Sequence, residues 1–139
     1  VWFKAFEGNQ ASNDPTANAD VTQTVNAPAN GDYALTFWAK KETNFSADSW
    51  KVALNAEEVD LLASAPADGS WNQYTLNLTG VTAGDPLVVT GAMVNGVDAT
   101  MNPQSAFLDT FELTQVPEPA SLALVAMGLL SLMGLRRKR

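Results

Sequence analysis

Residues 33–40 read YALTFWAK and directly follow a turn-forming stretch, PANGD, at residues 28–32. Every odd-numbered position of YALTFWAK is apolar, whereas the even-numbered positions include Trp38 and Lys40. Alternation with a period of two is typical of a β-strand that buries one face. The residues predicted to face the core are Tyr33, Leu35, Phe37 and Ala39.

Working outward from this strand, the chain shows short segments of the same kind, separated by turns rich in Gly, Pro, Asn and Asp. Turn signals about every 8–12 residues indicate a β-sandwich or barrel. The predicted strands are 1–6, 19–25, 33–40, 50–54, 71–78, 87–94 and 106–114, with 59–63 as a short strand or a turn. No stretch before Val116 has a helical period. We therefore predict an all-β, jelly-roll-like β-sandwich over residues 1–115.

Composition excludes several classes of chemistry. The 139 residues contain no cysteine and no histidine, and 46% of them are hydrophobic. Without cysteine there is no disulfide, thiolate zinc site or cysteine nucleophile. Without histidine there is no Ser-His-Asp triad and the commonest transition-metal ligand is missing. The domain must therefore be stabilised by its hydrophobic core.

Charge is distributed unevenly along the chain. Residues 1–115 carry fourteen Asp and Glu against four Lys, a net charge of −10, whereas the last residues are basic. An acidic domain repels phosphate backbones, so nucleic-acid binding is not expected. Neutral sugars and cations remain compatible with this surface.

The last 24 residues, VPEPASLALVAMGLLSLMGLRRKR, differ from everything before them. Residues 120–135 are apolar apart from two serines and would span roughly 24 Å as a helix. A hydrocarbon core of about 30 Å is within reach if the flanking cations snorkel. We predict a short transmembrane helix over 120–135, in preference to a buried core helix or a surface amphipathic helix. The basic residues expected on the cytoplasmic side are Arg136, Arg137, Lys138 and Arg139.

This tail resembles the PEP-CTERM protein-sorting signal of Gram-negative bacteria. The resemblance lies in the Val-Pro-Glu-Pro stretch, the short Ala/Leu/Gly-rich helix and the terminal basic cluster. It implies export, an inner-membrane-anchored precursor, and recognition by an exosortase that cuts near the motif. Residues 116–119 are then the linker and recognition motif, with Pro117, Glu118 and Pro119 as its sorting residues; the alternative is a rigid linker. Since the chain begins at Val1, we expect the natural start to be missing.

Residues 1–115 resemble the galactose-binding-like jelly roll of many carbohydrate-binding modules. The stretches that carry this resemblance are FEG, GDYALTFWAK, WNQYTL and AFLDTFEL. In AFLDTFEL, Asp109 is in phase with Phe107, Phe111 and Leu113, and an unpaired carboxylate on an apolar face is costly. The resemblance implies a structural calcium ion shared by Asp109 and Glu7, which calcium's preference for oxygen ligands would suit. The alternatives are a carboxylate bonded to backbone N–H groups at a sheet end, or a strand whose phase differs from the one assigned. No other cofactor is expected.

Sugar binding commonly uses exposed aromatic rings together with polar side chains. The candidate ligand-binding residues are Trp38, Trp50 and Trp71, with Phe45 beside them; the alternative for each is packing in the core or at its rim. The carboxylates Glu57, Glu58 and Asp60 lie in a polar stretch and give no reason to place a catalytic pair. Catalysis is therefore not expected.

Together these features predict an exported, non-catalytic surface or extracellular-matrix protein that an exosortase processes. The resemblance associates such proteins with bacteria that produce exopolysaccharide and biofilm. One alternative is a carbohydrate-binding module that recognises an exopolysaccharide. Another is an accessory domain of a larger glycan-active enzyme.

Overall fold

The structure is a computed structural model that describes residues 1–4, 17–96 and 105–117. In these ranges the chain forms eight strands and one short helix. They are β1 (Trp2–Lys4), β2 (Ala17–Asn26), β3 (Gly31–Lys41), β4 (Ser49–Leu54), β5 (Glu57–Asp60), α1 (Leu61–Ser64), β6 (Asn72–Val81), β7 (Pro86–Gly96) and β8 (Ser105–Val116).

The strands form two four-stranded sheets. Sheet I has the order β1-β8-β3-β6 and sheet II the order β2-β7-β4-β5. Every neighbouring pair is antiparallel. The chain crosses repeatedly from one sheet to the other, so strands adjacent in sequence are mostly not adjacent in a sheet. The predicted all-β sandwich is confirmed.

The predicted phase of the central strand is also confirmed. In β3 the alternate residues from Tyr33 to Ala39 are at most 2% exposed and face sheet II. Burying such side chains contributes about 1.5–3 kcal/mol each relative to an exposed position. The largest fully buried side chains are Trp50, Phe3, Phe37, Leu35, Leu54, Leu61, Leu87, Met93, Leu108 and Val52.

The segment predicted as a short strand or a turn at 59–63 contains both a strand and a helical turn. β5 ends at Asp60, and α1 begins at the next residue. The Asp60 carboxylate caps this turn by accepting a hydrogen bond from the Ala63 amide at 3.2 Å. A side-chain cap satisfies an amide that the first helical turn leaves unpaired.

The turn predicted at residues 66–70 is held by its own polar side chains. Asp68 accepts hydrogen bonds from the hydroxyl of Ser70 at 2.5 Å and from its amide at 2.8 Å. These bonds stabilise the carboxylate and hold the pKa of Asp68 below its usual range. Gly69 adopts φ +77°, a conformation that glycine accepts without steric cost.

Strand β8 contains a bulge that changes the phase of its side chains. Trp38 of β3 lies opposite Asp109, whereas Thr36 lies opposite Glu112, so β8 has one extra residue between them. Thr110 sits there with φ +50°. Before the bulge Ala106 and Leu108 point inward.

Asp109 therefore lies on the exposed outer face of sheet I, where its Oδ1 accepts a hydrogen bond from the Thr110 amide at 2.8 Å. The expectation that Asp109 faces the core is wrong. It assumed an unbroken period of two through residue 113, and a β-bulge reverses that period.

The bulge leads to a stability prediction. A left-handed conformation costs a β-branched residue roughly 1–2 kcal/mol, more than the roughly 0.5–1 kcal/mol that glycine loses in entropy. Thr110→Gly should therefore raise the free energy of unfolding by up to about 1 kcal/mol. Thr114→Gly, at an exposed regular position of the same strand, should lower it by roughly 0.5–1 kcal/mol. Urea denaturation measures both; equal losses would show that Thr110 is unstrained.

Several predicted features lie outside the described residues. They are Glu7, Glu118, Pro119, the helix at 120–135 and the basic residues Arg136, Arg137, Lys138 and Arg139. Within the three described ranges, no helix has the length and apolar character needed to cross a membrane.

Candidate functional site

The outer face of sheet I carries a line of side chains that crosses all four strands. Trp2 of β1 lies opposite Phe107 of β8, and Phe107 lies opposite Lys40 of β3. Trp71 directly precedes β6, whose first residue pairs with Ala39, so Trp71 lies beside Lys40. We call Trp2, Phe107, Lys40 and Trp71 the aromatic row.

The sequence neighbours of Trp2, Lys40 and Phe107 explain why these three side chains point outward. Phe3, Ala39 and Ala106 are buried between the sheets, so the residues next to them on each strand face solvent. Trp2 is 62% exposed and Trp71 is 40% exposed. Large aromatic side chains with this exposure in one line are an apolar surface patch, a feature typical of binding sites.

The rings and the lysine of the aromatic row are in mutual contact. The Trp2 and Phe107 rings are 6.2 Å apart between centroids and nearly parallel, at 6°. The Trp71 ring meets Phe107 at 6.3 Å and 60°. Between them, Lys40 Nζ lies 4.7 Å from the Phe107 centroid and 5.0 Å from that of Trp71. These contacts place the three rings and the ammonium side by side on the sheet.

Polar groups border the aromatic row on one side. Trp38, 38% exposed, lies two residues before Lys40 on β3. Its neighbours across the sheet are Asp109 on β8 and Gln73 on β6, both exposed. A carboxylate and an amide beside exposed rings can donate and accept the hydrogen bonds that orient a polyhydroxylated ligand.

The structure separates the three tryptophans predicted as ligand-binding residues. Trp38 and Trp71 lie on the outer face of sheet I. Trp50 is fully buried in β4 and packs edge-on against Phe45 at 5.5 Å, so the structure excludes it from a surface site. The physical reason is the alternation of β4, which directs Trp50 inward.

Sequence reasoning missed Trp2 and Phe107. Phe107 was assigned to the apolar face with Phe111 because the bulge at Thr110 leaves no clear mark in the sequence. For Trp2, the alternation with Phe3 shows that the two residues face opposite ways, but not which one faces the core. Only the pairing of β1 with β8 places Trp2 beside Phe107.

An apolar groove of about 370 Å³ opens elsewhere, between β2 of sheet II and β8 of sheet I. Its lining residues are Val1, Val21, Gln23, Val25, Leu35, Val89, Gly91, Phe111 and Leu113. Gln23 is the one polar residue among them. Ligand sites combine apolar walls with several convergent polar groups, and sugars require them. The aromatic row with its polar border fits a sugar better than the groove does.

The calcium prediction stays a prediction. Asp109 is exposed, and its carboxylate already bonds the Thr110 amide. Its predicted partner Glu7 lies outside the described residues. In the part of the chain that the structure describes, no three acidic residues come together in a way that could hold a metal ion.

Comparison with known proteins gives two results, one for each part of the chain. The PEP-CTERM protein-sorting motif matches residues 115–138. A search of curated proteins gave no match. Among solved structures, the fold is similar to that of TmCBM61 in complex with β-1,4-galactotriose, at 19% identity and a TM-score of 0.50. The similarity covers 83% of this chain and 88% of that one.

The identity is too low to show more than a shared fold. The resemblance of residues 1–115 to the carbohydrate-binding-module type is confirmed at the level of the fold, and the sorting motif is confirmed at the residues where the sequence predicted it. The chain thus carries a PEP-CTERM protein-sorting motif behind a β-sandwich with the fold of a carbohydrate-binding module.

Proposed function

We propose that this chain is an exported protein whose β-sandwich binds an extracellular polysaccharide through the aromatic row. The observation that supports it best is the line of contacting, solvent-facing rings across sheet I. The fold similarity to a carbohydrate-binding module supports the same function, as does a sorting motif that implies export.

Aromatic rings suit sugars because one face of a pyranose carries mainly C–H groups, which pack on a ring while the hydroxyls turn sideways. The rings of the aromatic row follow one another at 6.2 Å and 6.3 Å between centroids. This spacing suits linked sugar rings that lie across the strands. Trp38, Asp109 and Gln73 then lie beside the glycan, where the indole can donate to its hydroxyl groups, the carboxylate can accept from them and the amide can do either.

The tail supplies the sorting part of the proposal. Residues 120–135 would hold the exported precursor in the inner membrane, with the basic residues 136–139 on the cytoplasmic side. An exosortase would then recognise residues 116–119, and the β-sandwich over 1–115 would reach the cell surface or the extracellular matrix of a Gram-negative bacterium. This division of the chain is part of the proposal.

A non-catalytic role belongs to the same proposal. The adjacent acids Glu57 and Glu58 lie on β5, the edge strand of sheet II, and Glu58 is bonded to Lys51 at 2.6 Å. A pair of glycosidase carboxylates faces a substrate from two sides of a cleft, which an exposed strand edge does not provide.

Loss of one ring tests the binding site. Trp71→Ala should weaken binding to the recognised glycan at least about thirtyfold, since truncating a tryptophan at a binding hot spot costs roughly 2 kcal/mol or more. Titration of the purified protein with a panel of soluble polysaccharides, by calorimetry, measures this. The panel includes β-1,4-galactan and uronic-acid glycans.

Val25→Ala is the matched control, because it removes an exposed apolar side chain from the groove instead. It should leave glycan affinity unchanged. Weaker binding in Val25→Ala with full binding in Trp71→Ala would move the site to the groove. Absence of binding to every glycan by the unaltered protein would reject the proposed function.

A further inference from the structure

The aromatic row has a cation at its centre. Resting on the proposed function, we infer that the row selects glycans whose sugars carry a carboxylate, that is, uronic acids. A site for neutral sugars needs only rings and hydrogen-bonding groups. A lysine between two rings on the outer face of the sheet adds an electrostatic attraction for an anion, which a neutral sugar does not gain.

The position of Lys40 is fixed by its neighbours. It lies on β3, between β8 and β6, with Phe107 on one side and Trp71 on the other. Its ammonium lies within 5.0 Å of both ring centroids, inside the range in which a cation is attracted to an aromatic face. A sugar lying across these two rings would therefore place its substituents next to the ammonium.

The charge of Lys40 is not neutralised by a described side chain. Two other lysines of the domain have protein partners: Lys51 bonds Glu58, and the buried Lys41 donates to the Leu62 carbonyl. In the described ranges no carboxylate lies within ion-pair distance of Lys40. Its ammonium is thus able to donate to an anion on a ligand.

The acidity of the domain opposes the binding of an anionic glycan, so the attraction has to come from a cation in contact with the ligand. With a net charge of −10 over residues 1–115, the domain as a whole repels anions. At physiological ionic strength charges more than about 8 Å away are largely screened, so Lys40 acts on a sugar bound at the row more strongly than distant carboxylates do. Asp109 lies opposite Trp38, two residues along the strands from the pair formed by Lys40 and Phe107. Its negative charge disfavours a ligand carboxylate at that position. The anionic group of a glycan is therefore directed to Lys40.

The experiment compares ligands that differ only in charge. Polygalacturonate and alginate are each titrated against their esterified, uncharged forms, with the full chain and with Lys40→Met and Lys40→Arg. Met keeps an unbranched stem without the charge, and Arg keeps the charge. The unaltered protein should bind at least one acidic glycan about fivefold more tightly than its ester, the upper range for an exposed ion pair.

Lys40→Met should remove that preference, whatever it does to the affinity for the ester, and Lys40→Arg should keep it. The preference should also shrink as salt is raised. If the protein binds a neutral glycan but prefers no acidic form, or if Lys40→Met keeps the preference, the inference is wrong and the proposed function stands. Absence of binding to every glycan rejects both.

Discussion

Trp50→Ala is expected to lower the free energy of unfolding by about 3–5 kcal/mol, the range for removing a large aromatic side chain from a core. Trp50 is fully buried, lies inside β4 and contacts Phe45 edge-on at 5.5 Å. Total stabilities are about 5–15 kcal/mol, so this single change removes a large part of the stability. Urea denaturation followed by tryptophan fluorescence measures it.

Two control variants show whether the loss of stability comes from the burial of Trp50 or from the removal of a tryptophan as such. Trp50→Phe keeps most of the ring volume and removes Nε1, a buried nitrogen that has no hydrogen-bond partner among the described residues. Trp50→Phe should therefore lower the free energy of unfolding by much less than Trp50→Ala does. Trp71→Ala removes the same side chain from an exposed position and should cost little. Equal losses for Trp50→Ala and Trp71→Ala would contradict the assignment of Trp50 to the core.

Replacing Pro117, Glu118 and Pro119 together by Ala is expected to abolish exosortase processing. The prolines favour an extended backbone and interrupt any helix that would otherwise continue from residue 120. A processing enzyme needs an extended substrate, so the substituted precursor should keep its tail. Intact mass of the protein recovered from cells, with and without the exosortase, measures this.

The expected masses distinguish the outcomes directly. The unaltered protein should lose the residues after the motif only when the exosortase is present, and the substituted protein should keep them in both strains. Gln115→Ala, two residues before Pro117 and outside Pro-Glu-Pro, is the control and should be processed normally. Removal of the tail from the substituted protein would show that Pro-Glu-Pro is not the recognised sequence.

The sequence by itself determined the strands, most turns and the sorting motif. Alternation over residues 33–40 predicted which side of β3 is buried, and the structure agrees. These features depend on residues close together in the chain: side chains alternate along any strand, and a turn is specified by a few residues of suitable backbone conformation. The motif at 115–138 is likewise a contiguous stretch.

Only the tertiary structure decided which aromatic residues form the candidate site. The aromatic row comes from β1, β3, β8 and the residue before β6, at positions 2 to 107, and their adjacency depends on the strand order of sheet I. The extra residue of β8 at Thr110 reverses the side-chain phase, so Phe107 and Asp109 face outward although Phe111 and Leu113 face inward. The alternation of apolar residues in the sequence does not reveal such a bulge. Trp50 and Trp71 are the same residue type in opposite environments, because burial depends on whether a side chain faces the other sheet or solvent.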